Sequence, residues 1–220
     1  GTGQSHPVEV AEGYFYTDNE DFSLSGVIPL VWERTWYSYS PYEGPLGYGW
    51  HHSYDMAIGF DWEARVATIR MNDGRGVDIE LPNSPDKPTF HRLEKLYLCV
   101  DESGCYYVKD TSGLCYYFTE TAYPMKGSER KQQLLEKIVD RNGHQIQLSY
   151  KANGALTQLI DSAERTLSFE TDNEGRITTV YVPHPKQENE RFAIAQYSYS
   201  EEGDLLTHTD ALGQPMHFAY

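Results

Sequence analysis

The stretch Trp50-His51-His52-Ser53-Tyr54-Asp55 brings two imidazoles and a carboxylate close together in the chain. Metal binding is the first chemistry to test. Adjacent residues in a strand point to opposite faces, so His51 and His52 cannot easily chelate one ion. A structural or solvated role is favoured for both. Ser23, Ser25, His51 and Asp55 supply the residue types of a nucleophilic triad, but their spacing does not assemble one. Paired catalytic carboxylates need a cleft, and the acidic residues fall mostly in turns and at alternating positions. No catalytic residue, metal ligand or cofactor site is assigned, and the expectation is a chain that is not an enzyme.

The aromatic residues could act as stacking platforms for sugar rings. The candidates are Trp32, Trp36, Trp50, Tyr106 and Tyr116, in a wider set with Tyr37, Tyr39, Tyr107, Tyr117, Tyr197 and Tyr199. A surface carbohydrate-binding β-module is therefore the alternative functional reading. The competing use is cross-strand aromatic pairing, which stabilises a sheet by about 0.2–1 kcal/mol per pair. Alternation favours pairing: Tyr197 and Tyr199 share one face and Ser198 and Ser200 the other.

The elements that must position these residues read as strands. Tyr alone occurs 18 times among 220 residues, and apolar residues make up 39%. Such a chain can bury enough surface to order itself, on a composition suited to pleated sheets. Runs of five to eight residues alternate in polarity and end in Gly-containing turns. Asp73-Gly74, Ser103-Gly104, Ser112-Gly113, Asn142-Gly143, Asn153-Gly154, Glu174-Gly175, Glu202-Gly203 and Leu212-Gly213 punctuate them. Asn-Gly and Asp-Gly supply the positive φ that tight hairpins need. The pattern predicts an all-β antiparallel meander. Helix signal is weak. Ser128 to Ile138 is the best candidate, but a strand starting near Gln133 is the favoured use.

Spacing adds a repeat. Asp140 and Asp161 lie 21 positions apart, as do Gly154 and Gly175. Gly175 to Gly203 is 28, the excess sitting in "VPHPKQENER". A fixed period of two strands and two turns marks units that bury their apolar stripe only by stacking. Leu156, Leu159, Leu167, Phe169 and Ile177 are expected on the buried face. Glu164 stands where a turn Gly is expected, so the wall should be least regular there. The Tyr-, Trp- and Pro-rich front is not repetitive and is expected to cap the first edge of the sheet. This divides the chain into 1–60 (cap), 61–132 (irregular hairpins) and 133–220 (repeats), read as one continuous unit.

The formal net charge of -15 repels phosphate backbones and anionic membrane surfaces. No apolar run is long enough to span a bilayer, and the opening Gly-Thr-Gly-Gln-Ser has no signal-peptide pattern. Cys99, Cys105 and Cys115 are an odd, sparse set without a Cys-x-x-Cys pair. They argue against a disulfide framework or a zinc site. Cys99 and Cys105 flank one turn and could pair across it, but thiols buried or half-buried in strands are the favoured reading.

The unit Tyr150-x-x-x-Gly154-x-Leu156-Thr157-x-Leu159-x-Asp161 resembles the YD repeat of Rhs proteins, and Tyr199 to Tyr220 fits that pattern best. Ile138 to Tyr150 resembles the stretch that introduces those repeats. His6 to Ser38 and "LGYGWHHSYD" (Leu46 to Asp55) resemble the opening of the Rhs core. Lys151 and Ser200 depart from the pattern, standing where its aspartate would be. The resemblance covers nearly the whole chain, in order. It implies a curved open sheet, the N-terminal fragment of a hollow β-cocoon shell that encloses a C-terminal toxin. The implied partners are the remainder of that shell, the toxin and a secretion apparatus, often of type VI. The implied route is synthesis in the bacterial cytoplasm, then export or display as part of a larger protein. Some family members are cleaved near the start of the core, which makes His6-Pro7 a possible processing position. An open sheet edge after Tyr220 would favour edge-strand dimerisation of the isolated chain.

Overall fold

In the computed structural model, residues 8–10, 14–38 and 40–220 are described, with side chains described from residue 17 onward. Tyr39 and the His6-Pro7 position lie outside the described residues. Every regular element among them is a β-strand, and all pairings are antiparallel. Alternation is the cause. Gly76–Glu80 reads exposed, buried, exposed, buried, exposed, so Val77 and Ile79 face the core. Ser128 to Ile138 is not helical; its residues enter the strand Lys131–Val139.

The main sheet has 15 strands. From Thr89–His91 to Pro215–His217 each strand pairs with the next in chain order, as a hairpin meander requires. One departure is long-range. The strands Ala57–Asp61, Val66–Arg70 and Gly76–Glu80 form their own meander, joined to the sheet where Ile58 pairs with Gln133 and Ala57 with Leu134. Lys131–Val139 thus carries this meander on one end of an edge and Gln145–Tyr150 on the other end. Local turn chemistry gives no hint of that junction.

The turns show why acidic residues are so frequent. Asp101, Asp110, Asp140, Asp161, Asp172 and Asp210 each begin a turn. In each, Oδ1 accepts from the backbone N–H two and four residues on, as Asp140 does from Asn142 (2.8 Å) and His144 (2.9 Å). These carboxylates are committed to backbone donors. At one of the two positions lacking the aspartate, Ser200 substitutes by accepting from Asp204 N through its hydroxyl at 3.1 Å.

Glu164 does not disrupt the wall. It adopts φ 62° and closes the same turn, with Glu164 N to Asp161 O and Asp161 N to Arg165 O both at 3.0 Å. The expected irregularity is replaced by a left-handed glutamate held in place by its neighbours. Glu164→Gly is expected to stabilise the protein by up to about 1 kcal/mol, because release of strain exceeds the added entropy of the unfolded chain. Urea titration that shows the variant less stable would refute this.

The irregularity lies elsewhere. Bulges recur at Ser149/Tyr150, Glu170/Thr171 and Ser198/Tyr199. The tyrosines beside two of them reach back to an earlier strand: Tyr150 donates to Leu135 O and Tyr199 to Ile177 O, both at 2.6 Å. Tyr220 makes the same bond to Leu205 O at 2.7 Å. Thr171 occupies the equivalent position without such an anchor. The repeating Tyr therefore ties one tread to another through its hydroxyl. All five residues expected on the buried face are buried: Leu156, Leu159, Leu167, Phe169 and Ile177.

Val8–Val10, Tyr14–Leu24, Leu30–Tyr37 and Trp50–His52 form a separate 4-stranded sheet. It lies across the repeats, with Trp32 against Phe169. Ile28 exchanges bonds with Ser162, Ile177 N donates to Pro45 O (2.7 Å), and Tyr48 N donates to Gly203 O (3.1 Å). One buried cluster runs from Phe22 through Ile69 and Leu98 to Leu205. Thr89–His91, at one end of the main sheet, pairs only with Leu96–Val100 among the described residues.

Candidate binding cleft

A cleft of about 390 Å³ opens where the 4-stranded sheet, the main sheet and the small hairpin Glu43–Gly44/Gly47–Tyr48 meet. Its floor is an ion pair. Asp55 is 6% exposed and Arg70 8%. Arg70 Nε donates to the Asp55 carbonyl at 2.9 Å and its NH2 to Asp55 Oδ1 at 3.1 Å. Its NH1 donates to Gln132 Oε1 at 2.5 Å. Tyr42 donates to the same carboxylate, 2.8 Å from Oδ2, while its ring lies under the guanidinium at 4.6 Å. Burial holds the Tyr42 and Tyr150 phenols well above their ordinary pKa. Both stay neutral, so neither supplies a base. At the mouth, Lys126 joins Glu43 (2.7 Å) to Glu174 (3.2 Å). The charges on the floor thus compensate each other.

His51 and His52 lie on opposite faces, as strand alternation requires. His51 stacks on Tyr42 at 4.5 Å and His52 on Trp32 at 4.4 Å. On its other side His51 abuts Gly74, where a Cβ would sit 2.3 Å from the ring. The glycine in Asp73-Gly74 is therefore needed for close approach as well as for its φ of 88°. Neither ring nitrogen of His51 has a hydrogen-bond partner among the described residues. Desolvation pulls both histidines down to about 4.

That sets a pH dependence. A histidine with a depressed folded pKa contributes stability above its unfolded value, near 6.5, and loses it as pH falls toward 4. Between pH 7.5 and pH 5 each ring is expected to cost about 2 kcal/mol. Thermal unfolding across that interval checks this, with His51→Phe as the comparison. Equal pH slopes for the variant and the parent chain would refute the assignment.

The aromatic candidates fare unevenly. Trp32 is 0% exposed and Trp50 2%. No ring face of either is open to a sugar, because each was drawn into the core by strand alternation. Trp36 is half-buried against Trp50 and Tyr220. Tyr106 and Tyr116 are half-buried as well, and Tyr116 bonds Asp110 at 3.2 Å. The exposed tryptophan is Trp62, at 63%, stacked on Phe60 and near Tyr106. The sequence reading passed over it, although its place in the polar turn Asp61-Trp62-Glu63 signals exposure. Cys99, Cys105 and Cys115 are all free: Cys99 pairs across its hairpin with Tyr107, and Cys105 is exposed in the turn.

A second polar centre also escaped the sequence reading. Arg34 is completely buried, with Nε 2.5 Å and NH2 2.8 Å from the Asp21 carboxylate. Tyr197 donates to Asp21 at 2.6 Å and accepts from Trp32 Nε1 at 3.0 Å. The signal was available. Leu30, Trp32, Arg34 and Trp36 alternate along one strand, so Arg34 shares the face of Leu30 and Trp32.

Comparison with known proteins agrees with this architecture. Residues 5–79 match a domain of unknown function, DUF6531, which occurs in Rhs/YD-repeat proteins. The chain is 26% identical over 222 residues to double-stranded DNA deaminase toxin A of Burkholderia cenocepacia, covering 98% of this chain and 15% of that protein. It is 26% identical over 205 residues to the probable deoxyribonuclease RhsB of Dickeya dadantii, covering 91% of this chain and 13% of the relative. The chain thus spans about one seventh of the curated relatives it matches. Among solved structures, the Photorhabdus luminescens Tc holotoxin pore superposes with a TM-score of 0.65 at 12% identity, over 97% of this chain and 16% of that one. The N-terminal domain of the effector protein SpvB from Salmonella typhimurium gives 0.52 at 13% identity, over 91% of this chain and 100% of that one. These two share the fold. Together with the ordered motifs and the 21-residue tread, these relatives show a chain similar to Rhs/YD-repeat proteins.

Proposed function

We propose that the chain is a section of a toxin-enclosing shell, acting through its geometry rather than through a reactive group. The observation that carries this is the strand order. From Thr89–His91 onward the main sheet adds strands in chain order, so further repeats would extend one continuous wall. The 4-stranded sheet braces that wall across its face. On this reading the partners are the rest of the shell and a C-terminal toxin, and the whole is made in the cytoplasm and exported, with type VI secretion as the route. No helix among the described residues is long and apolar enough to cross a membrane.

Limited proteolysis of the full-length protein tests the proposal. The toxin segment is expected to resist cleavage while the shell is folded and to become sensitive once the shell is opened. A toxin segment cut freely in the native protein would overturn enclosure.

A further inference from the structure

We propose that the cleft above Asp55 and Arg70 binds a short extended stretch of polypeptide, held by its carbonyl oxygens. This goes beyond the shell reading and does not depend on it.

The argument is an account of hydrogen-bond donors. A guanidinium carries five N–H groups. Arg70 spends three of them, on the Asp55 carbonyl, the Asp55 carboxylate and Gln132. Gln132 accepts through Oε1, and its Nε2 has no partner among the described residues. His52 is 2% exposed and lines the cleft. Its Nδ1 accepts from Tyr54 N at 3.1 Å. The neutral ring then carries its proton on Nε2, which meets no acceptor among the described residues. Three side chains from two sheets therefore present spare N–H groups to one cleft. None of these three side chains is among the sealed, unpartnered donors, so their spare N–H groups meet water in the cleft, and a ligand that brings acceptors can replace that water.

Charge narrows the class. Asp55 cancels Arg70 on the floor, Glu43 and Glu174 outnumber Lys126 at the mouth, and the chain as a whole carries -15. An anion gains little there. A neutral carbonyl gains the same hydrogen bonds without repulsion. The walls between the donors are apolar, from Met56, Leu134 and the ring of Tyr123. Carbonyls alternating with apolar side chains describe an extended peptide. The cleft volume lies within the range of small-ligand sites, about 300–1,000 Å³.

Titration of the intact 220-residue chain with N-acetyl-Leu-Ala-Leu-amide, followed by NMR, provides the test. The expected result is saturable shifts of the Arg70 Nε–H and Gln132 side-chain amide signals. Gln132→Leu and His52→Phe should each weaken binding about fivefold to tenfold. His52→Phe keeps a ring on Trp32. If that variant does not fold, Gln132→Leu decides alone. Absence of saturation by about 20 mM peptide, far weaker than ordinary ligand sites, overturns the proposal. So does unchanged affinity in the folded variants, or tighter binding of inorganic phosphate than of the peptide.

Discussion

Asp21→Ala is expected to destabilise the protein by about 3–5 kcal/mol, the cost of leaving a buried charge uncompensated. Asp21 holds Arg34 through two bonds and also receives the Tyr197 hydroxyl. Its side chain is 2% exposed and that of Arg34 0%. Without the carboxylate, the guanidinium keeps its charge in an aromatic cage of Trp50, Phe218 and Tyr197. Cation–π attraction offsets only part of the lost solvation. The network joins the 4-stranded sheet to the last repeats, so the loss should appear as detachment of the two sheets. Denaturant unfolding of the single variant and of Asp21→Leu/Arg34→Met separates charge from packing. The double variant should recover most of the loss, because an apolar pair of similar volume needs no solvation. A single-variant loss below about 1 kcal/mol would show the pair to be solvated and the account wrong.

Trp32→Ala is expected to cost about 3–5 kcal/mol. Trp32 is fully buried among Phe22, His52, Tyr54 and Phe169, and its indole N–H is committed to Tyr197. Alanine leaves a cavity between two sheets that cannot close without moving both. Calorimetric unfolding measures the effect. A small loss would mean that Trp32 is solvent-accessible, which would reopen its use as a sugar platform. A large one places it among the residues that hold the two sheets together.

The meander was legible because its causes are local. Gly at 143, 154, 175, 203 and 213 takes positive φ at each tight turn, and period-2 alternation sends Leu148, Leu159 and Leu167 inward. Even the glutamate at 164 was marked in advance as an exception. Its outcome was not, because a neighbour's carboxylate and two backbone bonds can hold a strained residue in a regular turn. The aspartates that open the turns are legible as turn residues, but without a task. Their task, capping backbone donors, follows from residue type once the turn register is known.

The candidate cleft was hidden for a different reason. Tyr42, His52, Asp55, Arg70, Gln132 and Tyr150 come from segments that no period or turn brings together. They meet because Ala57–Asp61 pairs with Lys131–Val139 and because the front sheet folds over the repeats. The sequence alone determined what neighbours along the chain can decide: strands, turns, the tread of the repeat and the inward face. Tertiary structure decided which aromatics are sealed, which charges are paired, and where spare donors converge. Those outcomes depend on contacts between residues far apart in the chain, such as Tyr197 with Asp21, 176 positions away, and such contacts leave no periodic trace in the chain.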